Sequence, residues 1–231
     1  MANFSIIAKL GMDSTKFKGA LSKVGASVKK IGGQIGTALR AGFAVAATAA
    51  AAFAVKSVTA FVDFEKKLTE VRTLLPKMTA GGFEKMNKDI RELASTMGID
   101  LMDATSALYS AISAGIPQEN AITFLQDATK LSVAGVTSLQ DAVSGLNVVI
   151  NGYGLEAKDA AKLSDIMFAA MQKGDITISG LVQNIGRVTP LAAELGISFE
   201  EVASSFAVLG TKLGKGSEAQ AATQLLAVIN E

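Results

Sequence analysis

The chain has 231 residues, of which 49% are hydrophobic but only 6% aromatic, and it contains no His, Cys or Trp. That composition removes disulfides, thiolate nucleophiles, the usual zinc ligands and the commonest general base. A net charge of +1 hides a split: residues 1–56 carry eight basic side chains against Asp13 alone, and the rest carry fourteen basic and twenty acidic side chains.

The first segment is therefore a basic arm at +7 ahead of an acidic body at −6. Two readings of the arm are open: it meets an anionic partner, or its lysines form the solvated face of an amphipathic helix. Residues 3–10 have the pattern of a short strand. After Gly11, Asp13 can cap a helix whose apolar positions Phe17, Leu21, Val24 and Val28 step by 4, 3 and 4 between lysines. Gly32-Gly33 breaks it, so the arm is taken as 1–33.

Residues 34–75 are expected to form one long alanine-rich helix. Eleven of the 23 residues from Ala38 to Ala60 are alanine, and 41–55 carry no charge. At 1.5 Å per residue such a helix would be roughly 60 Å long. Its small side chains suit close helix–helix packing. Its length also suits a membrane, but alanine gains little from lipid and Lys56 would be costly there.

Pro76 and Gly81-Gly82 mark an expected boundary, with a helical core domain over 83–231. Its first helix places Phe83, Met86, Ile90, Leu93 and Met97 on one face and the pairs Glu84/Lys88, Lys85/Asp89 and Lys88/Glu92 on the other. A repeated stop-and-start signal follows: Gly98-Ile99-Asp100, Gly135-Val136-Thr137 and Gly196-Ile197-Ser198, with looser copies at Gly154 and Gly174. Each glycine is expected to close a helix in a left-handed cap, and each polar residue to open the next. Asp100 is read as one such start. Capping boxes are expected at Thr137 with Gln140, Ser198 with Glu201 and Ser217 with Gln220, and a hydrophobic staple at Ile197 and Val202. Units beginning near 98, 135, 174 and 214 are 37, 39 and 40 residues apart, and each has room for two helices. The fold class is thus all-α, an array of short helical hairpins resembling an α-solenoid. Pro117 is placed in a helical first turn within the first unit. The apolar helix that starts at Ser217 and stops soon after Ile229 suggests the front part of a longer protein.

Three stretches imitate chemical motifs. Gly152-Tyr153-Gly154-Leu155-Glu156-Ala157 fits a dinucleotide fingerprint, but the residues before it follow helical periodicity. Ala192–Val202 imitates a helix-turn-helix, yet the would-be recognition helix opens Ser198-Phe199-Glu200-Glu201, the wrong charge for phosphate. In 210–217, Gly216 separates Lys215 from Ser217 and spoils a phosphate loop. Carboxylate pairs such as Glu200/Glu201 and Asp100/Asp103 fall at helix starts, where they favour the helix dipole. No catalytic residue, metal ligand or cofactor site is assigned.

Several segments carry a resemblance. They are Phe61-Val62-Asp63-Phe64-Glu65 followed by Val71; Leu93-Ala94-Ser95-Thr96-Met97-Gly98; the run 107–115; Val148-Val149-Ile150-Asn151-Gly152-Tyr153-Gly154; and Val188-Thr189-Pro190-Leu191-Ala192 with the 196–201 turn. In this order and spacing the chain resembles the N-terminal arm and core region of phage tail tape measure proteins. The resemblance implies a long helical structural protein of the virion tail, assembled in the host cytoplasm, which sets tail length as the tube polymerises around it. It implies tail tube subunits, tail assembly chaperones and tail tip proteins as partners, self-association, and host-membrane contact in some members. It implies neither an enzyme, nor a cofactor, nor sequence-specific nucleic-acid binding. The long measuring segment of the family is absent from these 231 residues. A membrane-active helical protein and a stand-alone helical interaction module are the alternatives.

Overall fold

A computed structural model of the chain describes residues 59–230. The basic arm at 1–33, the strand pattern at 3–10 and most of the long alanine-rich segment lie outside them. The chain divides into two compact units, Met1–Val62 and Asp63–Glu231. Of the first, only the helical residues 59–62 are described. The second is built wholly from helices, and no strand occurs among the described residues.

In chain order, α1 covers 59–73, and α2 (Ala80–Met97), α3 (Leu101–Ser113), α4 (Ala121–Ala134) and α5 (Leu139–Tyr153) follow. A short 3-10 turn at Ala157–Asp159 leads to α6 (Ala160–Lys173), α7 (Ile178–Glu194), α8 (Phe199–Leu213) and α9 (Glu218–Ile229). Each of the units starting near 98, 135 and 174 holds two of these helices. Alternate helices stack in two rows. One row runs α3, α5, α7, α9, and the other α2, α4, α6, α8.

The first expected boundary needs correction. Helix α1 ends at 73, before Pro76, in a turn closed by Leu74 N–H to the Val71 carbonyl (3.1 Å) and Leu75 N–H to the Arg72 carbonyl (3.0 Å). Its Phe64, Leu68 and Val71 are buried in the core, so the second unit starts well before residue 83. Asn87 Nδ2 donates to Glu65 Oε1 at 2.9 Å, and Arg72 lies over the Phe83 ring at 5.1 Å. Gly81 and Gly82 are not a break: they form the first turn of α2, where Gly82 N–H donates to Thr79 Oγ1 at 3.1 Å.

The core follows the 3.6-residue period. In α2 the buried positions are Met86, Ile90, Leu93 and Ala94. In α5 they include Ala142, Val143, Leu146, Val149 and Ile150. Complete burial of a Leu, Ile or Phe such as Ile90, Leu108 or Phe124 stabilises the fold by about 1.5–3 kcal/mol each.

Glycines set how closely the rows stack. A Cβ on Gly145 would lie 2.4 Å from Val182 Cγ2, and one on Gly152 would lie 2.3 Å from Thr189 Cγ2. Both pairs join α5 to α7, and both members advance by seven residues. The two helices therefore run in the same direction, two helical turns per pair, as equivalent helices of successive repeats must. Alanine and glycine contribute the apolar count without bulk because the helix axes approach so closely.

Candidate interaction surface

The sequence-marked turn residues sort into caps that the backbone uses and residues with other work. Asp100 opens α3, accepting from Met102 N–H (2.7 Å) and Asp103 N–H (3.1 Å). Ser198 opens α8 with a reciprocal box: Glu201 N–H donates to Ser198 Oγ (3.3 Å), and Ser198 N–H donates to Glu201 Oε2 (2.8 Å). Next to it, Ile197 is partly buried and Val202 wholly so.

Two expected boxes are not formed. The cap of α5 is Ser138, not Thr137: Ser138 Oγ accepts from Asp141 N–H at 2.9 Å. Thr137 instead donates its hydroxyl to Asp141 Oδ2 (3.2 Å), and Gln140 reaches across to Ser110 Oγ (2.8 Å). Two adjacent hydroxyl residues could each open this helix, and the box spacing from Thr137 favoured the wrong one. Ser217 does stand at the start of α9 but makes no side-chain cap, since its hydroxyl donates back to the Gly214 carbonyl. Gln220 therefore has no box partner. Pro117 also differs: it opens a turn, with Asn120 N–H donating to its carbonyl at 3.0 Å, and α4 starts only at Ala121.

The glycines divide similarly. Gly98, Gly154 and Gly196 take φ of 67°, 62° and 73°, the left-handed caps expected of them. Gly135 and Gly174 do not. At the first turn it is Val136, 92% exposed, that adopts φ 50°. Gly135 has φ −88°, and a Cβ there would lie 2.4 Å from Ile178 Cγ1. Gly174 is extended, and its Cβ would lie 2.2 Å from the Ala207 Cα. These two are glycine because another helix occupies the space of a side chain.

The chemical look-alikes dissolve in the same geometry. Val148–Ile150 lie inside α5, so no strand precedes Gly152. Glu201 is engaged by its cap, and Glu200 Oε1 is bridged to Lys162 Nζ at 2.7 Å. The Lys162 ammonium holds the Glu200 carboxyl below its usual range, and the Ser198 N–H and hydroxyl do the same for Glu201. Tyr153, whose hydroxyl is buried without a partner, is raised by burial and by the charges of Glu200 and Glu201. Among the described residues no group of His, Cys, Asp or Glu could hold a metal ion. Among the same residues no single helix is long and apolar enough to cross a membrane. The bent pair α4 and α5 has the length and composition together, but its apolar residues are the core.

Two of the grooves among the described residues contrast in their lining. One is an apolar groove between α8 and α9, lined by Val208, Leu209, Leu225, Val228 and the hydroxyls of Ser204 and Ser205. The other is a groove of about 740 Å³ across α3, α5 and α7. Its lining carries Ser110, Ser113, Gln140, Ser144, Asn147 and Asn151 and no charged side chain. The sequence pattern points to neither, because each is assembled from helices of different repeats. One groove is mainly apolar, and the other is lined by uncharged polar side chains.

Comparison with known proteins identifies the family. Residues 87–231 match the family described as phage-related minor tail protein. The chain is 30% identical over 187 residues to a probable tape measure protein of Clostridium phage phiCD119, covering 79% of this chain and 18% of that one. It is 22% identical over 225 residues to the tape measure protein of Pneumococcus phage Dp-1, covering 93% and 20%. The chain thus spans about a fifth of the length of these relatives. No solved structure matches. The ordered segments from Phe61 to Glu201, the all-helical array and a match over residues 87–231 place this chain in the phage-related minor tail protein family, among the tail tape measures.

Proposed function

We propose that this chain is the arm and core part of a tape measure that sets tail length and templates the polymerising tail tube. The family match over 87–231 carries the reading. A helical chain is suited to the task because it converts residue number into length at 1.5 Å per residue. It works by packing rather than catalysis: the carboxylates of Asp100, Glu200 and Glu201 at the helix starts are used for caps and ion pairs, and the framework consists of close helix contacts. Tail tube subunits, tail assembly chaperones and tail tip proteins are its partners on this reading, in the host cytoplasm during assembly and in the virion tail afterwards.

The test is genetic. In-frame deletions within the downstream helical region of the intact gene should shorten tails by about 1.5 Å for each residue removed. Disrupting the helices between 98 and 213 should instead block assembly. Tails of normal length after removal of the whole gene would refute the assignment.

A further inference from the structure

We infer that the apolar groove between α8 and α9 seats one further amphipathic helix, the next member of the row α2, α4, α6, α8, supplied by the downstream helical region of the intact protein. The inference rests on the proposed reading of the chain as part of a tape measure, and it adds a place and a chemistry for the next repeat.

The helices of the other row can be compared position by position from their N-cap residues Asp100, Ser138, Thr177 and Ser217. Four residues past the cap stand Ala104, Ala142, Leu181 and Ala221, each 0% exposed. Eight past it stand Leu108, Leu146 and Ile185, and eleven past it Ala111, Val149 and Val188, again 0% exposed. In α9 the series breaks at these two places: Leu225 is only partly buried and Val228 is 71% exposed. It breaks also at twelve, where Ile112, Ile150 and Thr189 are buried and Ile229 only partly so. An exposed valine is ordinary by itself. Here it belongs to a stripe that every earlier helix of the row buries.

The difference lies in the neighbours. Helix α5 packs against α6 and α7, which follow it, and α7 packs against α8 and α9. Helix α9 packs on α7 and α8, both of which precede it. The groove walls include Val208, Leu209, Leu225 and Val228 with Ser204 and Gln224, and carry no charge. A phosphate-bearing ligand finds no cation in this lining. An extended segment would leave its backbone N–H and C=O groups without partners against these side chains, whereas a helix pairs its own. The occupant is therefore a helix with an uncharged apolar stripe, packed as α8 packs through Phe199, Val202 and Phe206.

The chain has no cysteine, so one introduced thiol reports one position. Val228→Cys and Leu225→Cys are made in the 231-residue chain and in a chain lengthened by one repeat, about forty codons of the intact gene, and their reaction with a maleimide is timed. In the shorter chain both thiols should react within about tenfold of the rate of Val136→Cys, a control at a 92% exposed turn, at every protein concentration. In the lengthened chain both should slow at least about a hundredfold while the control does not, and the helical circular dichroism should rise. Thiols that stay as reactive in the lengthened chain overturn the inference. So does protection without added helix, or a reading frame that closes at Glu231. Protection already present in the shorter chain and lost on dilution assigns the groove to a second copy, and overturns it too. Tail length after removal of the gene tests the tape-measure reading separately, since it does not depend on the state of these thiols.

Discussion

The carboxylate of Glu218 accepts two hydrogen bonds from Thr177, 41 residues earlier: from the backbone N–H at 2.7 Å and from the hydroxyl at 3.0 Å. Thr177 is itself the cap of α7, its hydroxyl oxygen accepting from Gly180 N–H at 2.9 Å. Glu218 is buried, and it is the first residue of α9. One repeat therefore supplies the anion at the N-terminus of the equivalent helix in the preceding repeat, where the helix dipole favours it. The room for it comes from Gly180, since a Cβ there would lie 2.4 Å from Glu218 Cδ.

Glu218→Ala should accordingly destabilise the protein by about 2 kcal/mol, the loss of charge-assisted bonds and of a buried partner for Thr177. Gly180→Ala should cost a similar amount, about 1–3 kcal/mol, by expelling the same carboxylate. Because both remove one arrangement, the double variant should fall well short of the sum. Additive losses in urea unfolding would show that the two residues act separately.

The two kinds of turn glycine separate by substitution. Gly196 has φ 73°, and a Cβ there would meet nothing within 4 Å, so Gly196→Asn, which tolerates the left-handed region, should be mild. Gly174 would collide with the backbone of Ala207, which cannot swing aside. Gly174→Ala should lower the melting temperature far more than Gly196→Asn, by an overpacking cost of about 1–3 kcal/mol or more. Equal shifts in thermal unfolding would contradict the assignment.

At the start of α5 the distinction is between neighbours. Ser138→Ala removes the bond to Asp141 N–H and should cost about 1 kcal/mol. Thr137→Ala removes only a hydroxyl contact to the Asp141 side chain and should cost less. Chemical denaturation of the two variants side by side decides it, and a larger loss at Thr137 would mean that the helix begins one residue earlier.

The helices were legible from Gly98 onward because each carries its own apolar period and its own start or stop. The Ser198–Glu201 box needs only local chain, and it is visible as a spacing of three. The link between Thr177 and Glu218 had no such signal, because its partners belong to different repeats. The same holds for Gly135 and Gly174. A glycine before an aliphatic residue reads as a left-handed cap, and the helix that actually excludes a side chain there is 33 or more residues away. The grooves were illegible for the same reason: Asn147, Gly186 and Ser110 come together only when alternate helices stack. The repeat interval near 37 residues held the necessary clue, since Gly145 meets Val182 and Gly152 meets Thr189 at that separation. Sequence similarity between the units was too low to make the pairing evident.

The capping box of α8 gives stability a definite pH dependence. The Glu201 carboxyl is held below its ordinary value of 4.5, first by the Ser198 backbone N–H and then by its hydroxyl. A carboxylate with a lowered folded-state pKa contributes stability above its unfolded pKa and loses that contribution as pH falls through the folded one. Glu200, lowered mainly by its bond to Lys162, acts in the same direction. Glu201→Gln should therefore be less stable than the parent chain near neutral pH, and the gap should narrow below about pH 4.5 as the parent's carboxyl protonates. Lys162→Met should reproduce part of the narrowing through Glu200 while leaving the Ser198 cap in place. The measurement is urea unfolding of the three proteins at intervals between neutral pH and the acid limit of the folded state. A gap that stays constant, or widens in acid, would mean that the Glu201 side chain does not hold the Ser198 N–H in solution.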